Sequence, residues 1–288
     1  MRLDGIHHVT CITGDAPRNV DFYTRVLGLR MVKKTVNQDD PTVYHLFYAD
    51  ENGSPGSDIT FCEYPGARRG RDGAGMVHTV TWLAGRRARG RLRFDDPEGL
   101  GLELAAVETP DAPLVAEHPE IPAQLALQGL DGVRAFAADP DASRDLLERT
   151  LGFASVDDGW EARGPTRGGR YAYDPPPAER GSGGAGTVHH VAWCAEVGDI
   201  DRWLETVAAA GRQPSGVIDR FWFRSVYFRE PSGVLFELAT RGPGFAVDED
   251  PERLGERLTL PPAFEHLRDR LDSILTPLPD PRPWARTG

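Results

Sequence analysis

Short apolar runs recur four times along the chain, and each is entered from a glycine. The four glycines are Gly5, Gly75, Gly129 and Gly186. The runs are brief and rich in branched side chains, which is typical of buried β-strands. Three of the four lead into stretches whose apolar residues have helical spacing. The pattern therefore predicts a repeated unit that begins with a strand.

Polar residues and glycines mark the ends of the three helices. In the first unit, Asp15 is suited to cap the helix and Gly28 to end it. The other two helices are predicted over residues 141–150 and 199–210. In the first and fourth units, strand-like runs follow the helix at residues 42–48, 58–62, 222–228 and 234–238. The complete unit therefore has the order β-α-β-β-β.

The second unit is too short for this order. After Val77–Leu83 there is room for only two strands, at residues 86–94 and 100–105, so we expect its helix to be missing or vestigial. Its closing turn nevertheless matches that of the fourth unit, because Asp96-Pro-Glu-Gly corresponds to Glu230-Pro-Ser-Gly. This match supports a true internal repeat.

The repeats predict an α+β fold made of β-α-β-β-β modules. The predicted boundaries are 1–66 for the first module, 74–108 for the truncated second, 129–180 for the third and 186–241 for the fourth. A proline-containing linker at 109–128 joins the halves, and a tail at 242–288 holds one helix around residues 262–275. The length of 288 residues suits two domains of about 100 to 150 residues each.

Composition restricts the partners and the compartment. The formal net charge of −11 argues against nucleic acid and anionic membranes, because both attract a basic protein face. Cys11, Cys62 and Cys194 lack the spacing of a disulfide framework or a zinc knuckle. There is no leader-like N-terminus, and no apolar run approaches the roughly 18 residues of a membrane span. We therefore expect a cytoplasmic protein with no nucleic-acid or membrane partner.

Two of the four opening strands carry a histidine doublet, and these doublets suggest a metal site. They are His7–His8 and His189–His190, and Glu237 lies in the closing strand of the fourth unit. Because successive side chains of a strand point to opposite faces, only one histidine of each pair should face a given cavity. Two imidazoles and one carboxylate leave coordination positions open on a divalent ion, as in non-haem Fe(II) oxygenases. The first hypothesis is an oxygen-using iron enzyme.

Paired β-α-β-β-β modules with such histidines and a glutamate resemble the vicinal oxygen chelate superfamily. It includes glyoxalase I, bleomycin-resistance proteins, fosfomycin-resistance enzymes and extradiol ring-cleaving dioxygenases. GIHHVT, VHHVAW and IDRFWFRSVYFREPSGVLFELAT are most similar to its Fe(II)-dependent, hydroquinone-cleaving branch. The resemblance covers about residues 3–241. It implies two domains of mixed curved sheets that form a metal-holding cup, with His8, His190 and Glu237 as the metal ligands.

The repeat agrees with this ligand set. At the position of His8 and His190, the other two copies have Thr79 and Gly132, so only the first and fourth modules could bind metal. The resemblance implies that these two modules pair around one cup, while the second and third form a metal-free half. In the first module, we expect Phe61 at the place of Glu237. Three ligands would leave room for a bidentate substrate and dioxygen, whereas glyoxalase-like proton transfer is associated with four.

The same resemblance implies polar residues around the metal. His189 and Tyr227 are candidates for acid and base, while His7 and Arg220 could fix a substrate oxygen or developing negative charge. A histidine beside a ligand could instead orient that ligand, and so could Thr10. We expect His45 either on the cup wall or at an ordinary strand position. Trp222 and Phe223 are expected in the core or on the pocket wall. Glu103 is expected to have a structural role.

The sequence hypothesis is a ring-cleaving dioxygenase that inserts both atoms of O2 into a para-dihydroxylated aromatic ring of the hydroquinone type. Fe(II) is the expected metal, with Mn(II) as the alternative. A catechol extradiol dioxygenase would use the same ligands. A glyoxalase-like isomerase and a small-molecule-binding resistance protein are the other readings of this fold. The sequence leaves open the ring substituents and whether the chain forms a homo-oligomer.

Overall fold

The computed structural model describes residues 1–85 and 90–286. The first module has the predicted order of elements. They are β1 (Ile6–Thr13), α1 (Ala16–Asp21), β2 (Arg30–Asn37), β3 (Asp40–Ala49) and β4 (Asp58–Glu63). Asp15 caps α1, since its carboxylate accepts a hydrogen bond from the Arg18 amide, 3.1 Å away. The chain continues from α1 through a wider helical turn, and Gly28 follows with a φ of 71°, a conformation suited to glycine.

The second and third modules differ in how much of the unit they retain. Their strands are β5 (Val77–Leu83), β6 (Arg91–Asp95), β7 (Gly101–Ala105), β8 (Leu130–Phe136), β9 (Ala154–Val156), β10 (Gly159–Arg163) and β11 (Gly168–Asp174). The described residues of the second module hold no helix, as expected, and residues 86–89 of its predicted middle strand lie outside them. The helix predicted over 141–150 forms as one irregular segment, in which a tight turn at Pro140–Ser143 continues through residues 144–145 into a wider turn at Leu146–Thr150.

The fourth module again has the full order, and the tail follows it. The elements are β12 (Val188–Ala195), α2 (Ile200–Ala209), β13 (Ile218–Asp219), β14 (Arg224–Arg229), β15 (Leu235–Thr240) and, in the tail, α3 (Arg268–Ile274). One apolar face of α2, with Ile200, Trp203 and Val207, is buried. Among the residues that the structure describes, no helix is both long and apolar enough to span a membrane.

Two sheets contain all of these strands. The eight-stranded sheet has the order β13-β14-β15-β12-β1-β4-β3-β2, and the seven-stranded sheet has the order β6-β7-β5-β8-β11-β10-β9. The first module therefore pairs with the fourth, and the second with the third. The α+β fold and this expected pairing are confirmed. In each sheet, the opening strands of the two modules run antiparallel at the centre, as β1 beside β12 and β5 beside β8.

The two matched closing turns fasten one sheet to the other. Asp96 of the second module accepts a hydrogen bond from the Tyr23 hydroxyl of the first module at 3.2 Å. Glu230 of the fourth module is buried and accepts hydrogen bonds from Tyr173 at 2.7 Å and Ser143 at 2.5 Å, both in the third. The repeated turn motif thus has one role in both copies, because each turn binds a module of the opposite sheet.

A buried lysine joins the tail to the eight-stranded sheet. Lys33 of β2 is fully buried, and its ammonium donates to the carboxylates of Glu249 and Asp248, the latter at 2.9 Å. Asp248 also accepts a hydrogen bond from the Trp222 indole at 3.0 Å. Burial raises the pKa of Glu249, although the ammonium of Lys33 opposes this change. The tail is therefore held by a buried charge cluster that also reaches Trp222.

Replacing Lys33 by Met is expected to lower the free energy of unfolding by about 3 kcal/mol or more, because Glu249 would lose its buried cation. Urea denaturation measures this change. Lys34→Met is the matched control, since the Lys34 ammonium binds the Glu256 carbonyl at the surface. The control should change stability by less than about 1 kcal/mol. A Lys33→Met variant as stable as the unchanged protein would contradict the prediction.

Candidate metal centre

Strand register brings His8, His190 and Glu237 together at the centre of the eight-stranded sheet. In the antiparallel pair β1 and β12, His8 is opposite Ala192 and Thr10 is opposite His190. In the parallel pair β12 and β15, Ala192 is opposite Glu237. The three side chains therefore come from three neighbouring strands and share one face of the sheet. Long-range strand pairing, not nearness in sequence, assembles the group.

The three side chains converge on one small volume. The Oε2 atom of Glu237 lies 2.8 Å from His190 Nε2 and 3.2 Å from His8 Nε2, and the two Nε2 atoms are 3.3 Å apart. All three residues are buried. Within residues 1–85 and 90–286, they form the one cluster of three or more His, Cys, Asp or Glu side chains close enough to hold a metal ion. Two imidazole nitrogens and one carboxylate oxygen suit a divalent transition metal.

The environment of Glu237 fits a bound cation. Its Oε1 atom accepts a hydrogen bond from the Ser225 hydroxyl, whereas its buried Oε2 atom receives no hydrogen bond of acceptable geometry within the described residues. Burial alone would raise the pKa of Glu237, but the neighbouring imidazoles hold it well below its ordinary value. An ionised buried carboxylate needs a compensating positive charge. A divalent cation between the three side chains would provide it.

Both histidine doublets lie at β-bulges, which changes where their rings point. The β1–β12 ladder passes from Ile6 to His8 and from Thr10 to Cys11 with a register shift, so His7 and His189 are left unpaired. The two Nδ1 atoms are 2.9 Å apart in the first doublet and 2.8 Å apart in the second. The Nε2 atoms of His8 and His190 therefore remain directed at Glu237, as metal ligation would require.

Strict alternation of side chains was the wrong expectation for the second doublet. His189 and His190 both line the same cavity, because the bulge removes the alternation that a regular strand would impose. His7 instead lies buried behind His8, and its Nε2 atom is 3.2 Å from the Thr240 carbonyl. Burial lowers the pKa of His7 to about 3, and partial desolvation on the cavity wall, with His190 beside it, lowers the pKa of His189 to about 4. The contacts of His7 favour the orienting role over direct substrate contact.

Thr60, and not Phe61, occupies the position that corresponds to Glu237. In the parallel pair β1 and β4, Thr10 is opposite Thr60, just as Ala192 is opposite Glu237 in the fourth module. The expectation for Phe61 was wrong by one residue, and such a shift moves a side chain to the other face of the sheet. The Thr60 hydroxyl donates to Thr10 at 2.9 Å and lies 2.8 Å from His45 Nε2. The count of three candidate ligands is unchanged.

The seven-stranded sheet carries a carboxylate at the same place without the histidines. Glu103 is opposite Thr81 on β5, which matches Glu237 opposite Ala192. Arg91 and Arg93 each bind one oxygen of Glu103. Arg93 is opposite Glu103 in the strand pair, as Tyr227 is opposite Glu237. Two guanidinium groups thus neutralise this carboxylate, which accords with the structural role expected for Glu103.

A cavity of about 440 Å³ is lined by His8 and His190 of the three-residue cluster. This volume is in the range of small-molecule sites. Its polar wall includes Thr10, His45, His189, Arg220 and Tyr227, and its apolar wall includes Ile12, Phe47, Trp222, Phe223 and Leu235. His45 therefore lies on the cavity wall, which decides between its two sequence readings. An aromatic ring fits within a space of this size, and its apolar walls with a few polar groups suit such a ligand.

Arg220 and Tyr227 form one hydrogen-bonded unit on the polar wall. The Arg220 Nε group donates to the Tyr227 hydroxyl at 3.3 Å, and the Tyr227 ring lies edge-on to the His190 ring with centroids 5.4 Å apart. Burial raises the pKa of Tyr227 well above its ordinary value, so this hydroxyl stays protonated. Burial alone would lower the pKa of Arg220, but hydrogen bonds to Asp39 and Tyr227 raise it.

Sequence reasoning did not single out three residues at this site. Ser225 lies two positions before Tyr227 on β14 and shares its face, so strand alternation could have identified it. Identifying Thr60 required knowledge of the register of β4 against β1. No sequence pattern indicated Asp39, because its contact with Arg220 joins a hairpin of the first module to a loop of the fourth.

The chain matches a known family and several named relatives. The sequence profile of the glyoxalase/bleomycin resistance protein/dioxygenase superfamily matches residues 5–117 and 129–238. MhqO of Bacillus subtilis, whose name describes a ring-cleaving dioxygenase, is 38% identical over 301 residues, which cover 95% of this chain and 96% of MhqO. The chlorohydroquinone/hydroquinone 1,2-dioxygenase of Sphingobium indicum is 29% identical over 326 residues, covering 94% of this chain and 95% of that protein.

Solved structures agree in fold. A crystal structure described as that of a dioxygenase from Bacillus subtilis has a TM-score of 0.89 and 36% identity, with 96% of this chain and 98% of that chain covered. Glyoxalase I from Zea mays has a TM-score of 0.54 and 15% identity, with 82% of this chain and 92% of that chain covered. The second likeness shows a shared fold.

Glu237→Gln is expected to weaken binding of a divalent metal by more than about 100-fold. The reason is that losing groups that merely orient a ligand already costs about 10- to 100-fold. Anaerobic equilibrium dialysis against Fe(II) or Mn(II) measures the affinity and stoichiometry. Glu103→Gln is the matched control, since it changes the corresponding carboxylate of the other sheet. Equal losses in both variants, or unchanged binding by Glu237→Gln, would refute the site.

Proposed function

Because the chain belongs to the glyoxalase/bleomycin resistance protein/dioxygenase superfamily, we propose that it is an Fe(II)-dependent dioxygenase that opens a hydroquinone-type ring. Its relatives are named ring-cleaving dioxygenases, and the name of one of them specifies hydroquinone and chlorohydroquinone, which supports the proposal. The observation that carries the finer proposal is the group of His8, His190 and Glu237, whose two histidines line a cavity large enough to admit an aromatic ring.

The number of proposed metal ligands separates this activity from the glyoxalase-like activity of the same superfamily. His8, His190 and Glu237 would hold the metal, and Thr60 at the fourth position offers no carboxylate or imidazole. Adjacent coordination positions would then remain for small ligands. Fe(II) bound there would supply the electron transfer between an aromatic ring and dioxygen, with Mn(II) as the alternative metal. A four-ligand, glyoxalase-like site is disfavoured by Thr60.

The cavity walls would orient the ring and control protons. Apolar side chains such as Phe223 and Trp222 would exclude water and contact the ring faces, while the protonated Tyr227 hydroxyl could donate to a substrate oxygen. Arg220 would stabilise negative charge that develops on the oxygens. His189, on the wall beside His190, would exchange a proton with the substrate. His7 would fix the orientation of His8.

The net reaction proposed is insertion of both O2 atoms with opening of the ring beside a hydroxyl-bearing carbon. The expected product is of the muconic-semialdehyde type, and no organic cofactor is required. A cytoplasmic location, the absence of nucleic-acid and membrane partners, the module boundaries and any homo-oligomer stay predictions from the sequence.

Oxygen uptake tests the proposal directly. Protein loaded anaerobically with Fe(II) is mixed with air-saturated buffer that contains hydroquinone or, separately, catechol, and ultraviolet absorbance follows the ring-opened product. We expect uptake of one O2 for each product molecule formed from hydroquinone. Uptake with catechol alone would assign the catechol-cleaving activity. No uptake with either ring, despite stoichiometric iron, would contradict the dioxygenase proposal.

His189→Ala is expected to keep one metal per chain when Fe(II) is in excess, although loss of the contact with His190 Nδ1 should weaken metal affinity by about 10- to 100-fold. At full metal loading, hydroquinone turnover should still fall by about 100-fold or more, the usual range for loss of a proton-transfer group. Metal stoichiometry and oxygen uptake are measured on the same preparation. His78→Ala is the matched control, because His78 occupies the corresponding position of the second module, at a register shift of β5 against β8. Parallel loss of metal and turnover in His189→Ala would refute the separate role of His189.

A further inference from the structure

The hairpin between β2 and β3 reaches across the mouth of the cavity to Arg220. Asp39, at its tip, makes a two-point ion pair with the guanidinium group, with Nη1 to Oδ1 at 3.1 Å and Nη2 to Oδ2 at 2.9 Å. Gln38 donates from its side-chain amide to the Arg220 carbonyl at 2.8 Å. The first module therefore supplies the partner for a cation that belongs to the fourth.

This ion pair dominates the charge of the cavity wall. Among the described residues that line the cavity, Asp39 and Arg220 are the two with a permanent charge. The Arg220 side chain is 15% exposed, whereas that of Asp39 is 72% exposed, so the carboxylate covers the outer edge of the guanidinium. All three nitrogens of the guanidinium have an acceptor, because Nε binds the Tyr227 hydroxyl. The wall therefore presents no unpaired cation to an entering molecule.

We propose that Asp39 is a specificity-determining residue that makes the cavity select uncharged para-dihydroxylated rings over rings that carry a carboxylate. The inference rests on the proposed function and extends it to the charge of the substrate. An anionic ring substituent would have to displace Asp39 from Arg220 or lie beside it as a like charge. Either outcome is unfavourable, and like charges about 3 to 4 Å apart in a water-like environment, as the exposed Asp39 provides, cost about 1 to 1.4 kcal/mol, or a factor of about five to ten in affinity.

A purely structural role for Asp39 predicts a different result. If the ion pair served only to hold the hairpin over the cavity, its loss would weaken the binding of all rings alike. If Asp39 selects by charge, loss of its charge should instead raise the affinity for a carboxylated ring relative to the affinity for a neutral ring of similar size. Asp39→Asn separates the two, because it removes the charge and keeps the shape and one acceptor oxygen.

The experiment is anaerobic calorimetric titration of metal-loaded protein with three ligands, so that binding is read without turnover. The ligands are hydroquinone, methylhydroquinone and hydroquinone that carries one ring carboxylate. We expect the unchanged protein to bind the two neutral rings in preference to the carboxylated ring. Asp39→Asn should shift the affinity ratio of the carboxylated ring to methylhydroquinone by about tenfold toward the carboxylate. The shift should shrink at high ionic strength.

Asp40→Asn is the matched control, since it removes the same charge from the next residue of the hairpin, whose carboxylate binds Thr42. It should leave the ratio within about twofold of the unchanged value, because its charge does not contact Arg220. An unchanged ratio in Asp39→Asn, or an equal shift in Asp40→Asn, would overturn the inference. Failure of the unchanged, metal-loaded protein to bind any of the three rings would instead overturn the proposed function, and this inference with it.

Discussion

A buried, ionised carboxylate is the constraint on which the rest of this structure depends. Glu237 is fully buried, and its Oε2 atom lies between two imidazole nitrogens, with no well-formed hydrogen bond from any residue that the structure describes. Such a group is tolerated only where a cation compensates it. The pairing of β1 with β12, and of β12 with β15, provides that environment by bringing His8 and His190 to the same point. The same strand pairing therefore determines both which modules associate and which side chains meet at the site.

The second sheet meets the same constraint with different residues. Glu103 has the strand position of Glu237, and Arg91 and Arg93 bind its two oxygens. Both guanidinium groups are substantially exposed, so the charge is neutralised at an open surface and not in a closed cavity. A guanidinium group offers a substrate no coordination position, whereas a bound metal ion does. One scaffold thus yields a half with a candidate metal centre and a half whose matching carboxylate is bound by arginines, through changes at a few register positions.

The sequence predicted the fold well because the repeat is local, and it predicted the site less well because the site depends on register. Glycine-entered strands, the Asp15 cap and the two histidine doublets are visible within short windows. Phe61 was expected at the position that Thr60 occupies. An error of one residue in strand register assigns a side chain to the wrong face of the sheet. The bulges at His7 and His189 insert an extra residue that no local pattern revealed. Asp39 lies 181 residues from Arg220, so their contact required the tertiary structure.

The cavity depends on parts of the chain that are distant from its polar groups. Trp222 on the apolar wall is fixed by Asp248 of the tail, and Asp248 is bound in turn by the buried ammonium of Lys33. The ammonium also lies 5.1 Å from the centre of the Trp222 ring, where a cation is favourable. On the polar wall, a hairpin of the first module holds Arg220 through Asp39. Both walls are therefore completed by contacts between modules or with the tail, so the pocket needs more than one module just as the three-residue cluster does.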